Sequence, residues 1–73
     1  MTQDKTKDYD YIIRNIDTMY QVQHLEIIQN MINCFDVKWQ YNLQKTYLHE
    51  TVELRAILKY KQNQLNLFDR NNN

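Results

Sequence analysis

Apolar residues recur along the first half of the chain in two helical registers. Ile12, Ile13, Ile16, Met19, Tyr20, Ile27 and Met31 form one stripe, and Val22, Leu25, Ile28, Ile32 and Phe35 form a second. Spacings of three and four residues belong to a helix. The pattern predicts a helix from about residue 8 to about residue 35. Asp8 or Asp10 is the expected cap, since a carboxylate there accepts free backbone N–H groups. A helix apolar on more than one side cannot be covered by one partner helix, which points to a bundle or a dimer. Asn33-Cys34-Phe35-Asp36 is the predicted turn. Asn tolerates a left-handed helix end, and Asp36 can cap the next helix.

Residues 35–43 carry two patterns at once. Phe35, Val37, Trp39, Tyr41 and Leu43 alternate with Asp36, Lys38, Gln40 and Asn42, which is the period of a strand built from good strand formers. A longer helical ladder also passes through them, Phe35, Trp39, Leu43, Tyr47, Thr51, Leu54 and Leu58, with Leu48, Val52 and Ile57 beside it. The ladder predicts a second helix over about 36–62. The expected fold class is therefore all-α, a helical hairpin over 8–62 that dimerises into a bundle. Residues 1–7 form a disordered N-terminus, and 63–73 a C-terminal peptide with a polar tail. The alternative is α-β-α, with an intermolecular two-stranded ribbon at 35–43.

Composition sharpens this reading. The 73 residues make one small domain at most. Gly and Pro are both absent, and tight turns lean on those residues, so helices with few turns are expected. A core this small rarely contributes more than about 3–5 kcal/mol. Cys34 is the single cysteine and can form no internal disulfide. A second subunit is one remedy. Net charge is zero, but residues 1–36 hold three basic against six acidic side chains, and residues 37–73 hold six against three. The basic residues are scattered and form no dense face, so direct nucleic-acid binding is not expected. No apolar stretch approaches the ~20 residues that span a bilayer. Met1-Thr2-Gln3-Asp4-Lys5 runs into charge, so a secretory leader is not expected. One unpaired cysteine fits a reducing cytoplasm.

Candidate chemistry is sparse. His49-Glu50-Thr51-Val52-Glu53 has the first half of a zinc-protease helix, but Glu53 stands where the second His is needed. It reads as a solvated helix face. His24 reads as a bundle-edge residue and Cys34 as a small apolar core residue. No cofactor is expected, and no enzymatic activity. Six Tyr and one Trp make the chain rich in aromatics, the favoured side chains of protein interfaces. Phe35, Trp39, Tyr41, Leu43 and Tyr47 are the expected partner or dimer patch.

Gln64-Leu65-Asn66-Leu67-Phe68 stands apart from this scaffold. It resembles the pentapeptide, usually Gln-Leu-(Ser/Asp/Asn)-Leu-Phe, by which many bacterial proteins dock on the sliding clamp of DNA replication. The resemblance covers these five residues alone. It implies that Gln64 hydrogen-bonds at the mouth of a small pocket, that Leu65 fills it, and that Leu67 and Phe68 fill a neighbouring groove, with Asn66 as a spacer. It further implies a role in replication, repair or translesion synthesis. Such a protein could be an adaptor that brings a partner to the clamp, or an inhibitor that occupies the groove, as a phage protein or toxin could. The same residues have a second reading: Leu54, Leu58, Leu65 and Phe68 are spaced as one helix face, which would make them ordinary core. On that reading the chain is a structural or regulatory helix-bundle protein with no role at the clamp.

Overall fold

The computed structural model describes residues 4–71, except for the side chains of Val22 and of 66–71. Three α-helices make up the fold: α1 (Lys5–Thr18), α2 (Leu25–Leu43) and α3 (His49–Asn71). A single 3-10 turn, Val22–His24, precedes α2, and there is no strand among the described residues. All three helices pack against one another. Cross-links fix their directions. Lys5 pairs with Glu50, Tyr9 with Glu53, and Lys61 with the Asp17 carbonyl, so α1 and α3 run parallel. Asp8 meets Lys38 and Trp39, so α2 runs the other way.

The all-α expectation holds among the described residues, with three helices in the bundle where two were expected. The predicted long first helix is two helices: Ile12, Ile13 and Ile16 of the first stripe lie in α1, while its Ile27 and Met31 share α2 with Leu25, Ile28, Ile32 and Phe35 of the second. Its break falls at Met19, where the chain turns extended (φ −69°, ψ 124°). Asn33–Asp36, the predicted turn, lies inside α2. Asp36 caps nothing there; its carboxylate accepts from Thr51 Oγ at 2.7 Å and from Gln40 Nε2 at 2.9 Å. The buried Thr51 hydroxyl is thereby satisfied, as a polar group in a core must be. The strand alternative for 35–43 is likewise overturned. Those residues complete α2, because Phe35 and Trp39, one helical turn apart, both reach the core.

Caps are set by local chemistry. Asp4, rather than Asp8 or Asp10, caps α1, and its Oδ1 accepts from the Thr6 amide at 2.9 Å. The end of α2 is unusual. Gln44 adopts the left-handed conformation (φ 52°, ψ 46°), while its amide donates to the Tyr41 carbonyl and the Lys45 amide to that of Gln40. This double closure normally uses glycine, which bears no Cβ to clash. In a chain without glycine, glutamine takes that position.

The core runs through the middle of the bundle. Ile12, Ile16 and Met19 come from α1 and its end, Ile28, Ile32, Phe35 and Trp39 from α2, and Leu48, Leu54 and Leu58 from α3 and its approach. Leu54 is fully buried at the centre. At 1.5 Å per residue, α3 is about 34 Å long against about 21 Å for α1. Since the two start level, α3 continues past the end of α1.

Candidate functional site

The Gln64–Phe68 stretch lies in that extension. Among the described side chains of α3, Leu58 is the last that is buried in the core. Beyond it Gln64 is exposed, while Leu65 is half-buried against the edge of the core. The Asn66, Leu67 and Phe68 side chains lie outside the described ones. The backbone here is helical through Asn71, so α3 continues into the stretch assigned to the C-terminal peptide. Asn63 and Asn66 are weak helix formers. However, lengthening an existing helix costs far less than nucleating one, and Leu65 holds the turn against the bundle.

The expected aromatic patch is divided by the fold. Phe35 and Trp39 are buried in the chain's own core, so as folded they are not available to a partner. Tyr41 is 84% exposed, Tyr47 63% and Leu43 40%. The reason is helical geometry. Residues 35 and 39 share the inner face of α2, whereas 41 points away and 47 lies in the loop before α3.

Around Trp39 the polar atoms form one cluster. Asp8 Oδ2 accepts from the indole Nε1 at 2.9 Å and from Lys38 Nζ at 2.8 Å, and Lys38 lies 5.0 Å from the Trp39 ring centre. The hydrogen bond from Lys38 holds the Asp8 carboxyl below its ordinary value. Next to it, Lys5, Thr6, Tyr9, His49, Glu50 and Glu53 line a shallow cleft of about 240 Å³. The Tyr9 hydroxyl donates to Glu53 Oε2 at 3.1 Å, and burial pushes its pKa up. Lys5 lowers that of Glu50. Lys5, Tyr9, Glu50 and Glu53 are thus engaged with one another across α1 and α3. Among the described residues no group of three or more His, Cys, Asp or Glu side chains could hold a metal ion.

Two smaller expectations also change or find their place. Cys34 is exposed on α2 rather than in the core, because it points away from the stripe of Ile28, Ile32 and Phe35. His24 is half-buried where α2 begins, edge-on to Tyr20 at 6.1 Å. A feature missed in the sequence is the apolar groove between α1 and α2. It measures about 500 Å³ and is lined by Tyr11, Ile12, Ile27, Met31, Cys34 and Phe35, with Asp8 and Lys38 at one end. The spacing of Ile27, Met31 and Cys34, four and three residues apart, was the available sign. No helix among the described residues is long and apolar enough to cross a membrane. No family model matches the chain, and no curated protein or solved structure matches it.

Proposed function

We propose that this protein binds the bacterial DNA sliding clamp through Gln64, Leu65, Leu67 and Phe68. It acts without catalysis, as an adaptor or inhibitor in replication or repair in the cytoplasm. The observation that carries the reading is the Gln-Leu-Asn-Leu-Phe match on the part of α3 beyond Leu58. Docking in extended form requires the last turns of α3 to unwind. Helix ends open at low cost, and of the side chains described there only Leu65 leaves a partly buried place. Burying Leu65, Leu67 and Phe68 in the clamp contributes roughly 1.5–3 kcal/mol each. A micromolar dissociation constant corresponds to about −8 kcal/mol, so after ordering costs these three side chains need the hydrogen bonds of Gln64 and the peptide backbone beside them.

The test is a titration of the intact chain onto purified clamp, beside the double variant Leu67→Ala/Phe68→Ala. Binding by the first and none by the second is expected, with helicity retained. Gln64→Ala should weaken binding by roughly 1–2 kcal/mol, the scale of one hydrogen bond at a partly buried site. No binding at about 100 μM clamp, near −5.5 kcal/mol, sinks the proposal.

A second reading rests on Leu65. Its packing against the core, with helical backbone through Asn71, favours a structural or regulatory helix bundle in which this segment only completes α3. In that case the double variant lowers the melting temperature and there is no clamp binding to lose.

A further inference from the structure

We propose that a second copy of this chain packs on the outward face of α2, with the two α2 helices antiparallel about a two-fold axis at Cys34. The inference stands independently of the clamp reading. Helix α2 is apolar on two sides. Its inner side holds Ile28, Ile32, Phe35 and Trp39. On its outer side Ile27, Asn30, Cys34, Val37 and Tyr41 succeed each other at alternating spacings of three and four residues, all exposed. That is the repeat of a helix–helix seam. Ile27 is 59% and Val37 70% exposed, values that a solvent-facing stripe on a lone bundle does not call for.

Area and charge both fit a second copy. With Tyr11 and Met31 from the adjoining groove, the exposed surface of these residues, polar atoms included, is on the order of 700 Å² per copy, close to the ~800 Å² per partner of a standard stable interface. Ile27, Asn30, Cys34, Val37 and Tyr41 carry no charge, while Lys38 and Glu26 flank them on opposite sides and Asp8 already pairs with Lys38. A strongly charged partner would find no counter-charge at the seam's centre, whereas an identical seam meets no repulsion there. A two-fold interface places the same patch on both sides. Cys34 lies midway between Ile27 and Tyr41. In the antiparallel arrangement Ile27 therefore faces Tyr41 of the second copy, Met31 faces Val37, and Lys38 faces Asn30. A parallel arrangement would set Lys38 against Lys38 and align the two helix dipoles unfavourably. The small Cys34 side chain at the axis permits close approach, and Asn30 within an apolar seam can fix register.

Sedimentation equilibrium of the full chain at about 100 μM should give twice the 9.1 kDa chain mass. Val37→Lys, at an exposed position, should keep helicity and weaken association at least about tenfold by placing a charge in the seam. Tyr60→Lys, on the exposed side of α3, should leave association unchanged. A short bis-maleimide should link Cys34 to Cys34, since packed helix axes lie about 8–10 Å apart. In a Cys34→Ser background, Ile27→Cys should link to Tyr41→Cys but not to itself. A monomer at this concentration overturns the proposal. So does a dimer that resists Val37→Lys, or self-linking of Ile27→Cys.

Discussion

The two ends of the bundle are held by different physics. At the end where α1 and α3 begin and α2 finishes, every helix is tied to the other two by side chains. Asp8 bridges to Lys38 and Trp39, Thr51 to Asp36, Lys5 to Glu50 and Tyr9 to Glu53. At the other end the described long-range link is Lys61 on the Asp17 carbonyl, at the C-terminus of α1 where a cation suits the helix dipole. Past it, α3 goes on with Leu65 half-buried. The Gln64–Phe68 stretch thus belongs to the end with fewer ties among the described side chains, and segments that must rearrange to bind are drawn from such regions.

The contrast can be broken most directly at Trp39. Trp39→Ala removes a buried ring and leaves Asp8 without one donor, so chemical denaturation should show a loss of about 3–5 kcal/mol. A change under ~0.5 kcal/mol, the scale of a surface site, would mean that the polar end is not the stable one. Leu65→Ala at the opposite end should cost about 1 kcal/mol by the same measurement, because the side chain is only partly buried. If the two losses are equal, the ends do not differ in this way. Gln44→Gly should instead stabilise by roughly 0.5–1 kcal/mol, since glycine takes the left-handed position without a Cβ clash. An unchanged or lower melting temperature would show that the Gln44 conformation costs nothing.

The smallest effect is with pH. Asp8 and Glu50 have folded pKa values below their ordinary 3.8 and 4.5. Their contribution is therefore complete above those values and declines as pH falls through the lowered folded ones. Tyr9 is shifted up from 10.0, so its share is present below pH 10 and is lost as pH rises further. Asp8 is well exposed and screened, so the acid effect should be modest. Melting curves between pH 6 and 2 should show a decline that Lys5→Ala and Lys38→Ala reduce. An unaltered profile in those variants would remove the linkage.

The sequence by itself favoured helix throughout and left a strand open only at 35–43. Periodicity of three and four runs through Ile12, Ile16, Ile28, Ile32, Leu54 and Leu58, and all of them are buried. It also singled out Gln64–Phe68, because a linear motif is a property of consecutive residues. It did not determine where the chain turns. The turn chemistry at Asn33–Asp36 was the best local candidate, yet the breaks fell at Met19–Gln21 and Gln44–Leu48, where no glycine or proline marks them. Tertiary packing decided that. A break after α1 lets Ile12 and Ile16 face Ile28 and Ile32 across an antiparallel pair, whereas one long helix would have left one stripe in water. Packing likewise divided the aromatics, drawing Trp39 inward onto Asp8 while Tyr41, two residues on, turned out to solvent. Such choices depend on residues thirty positions apart meeting in space, and a helical period carries no record of which face will find a partner.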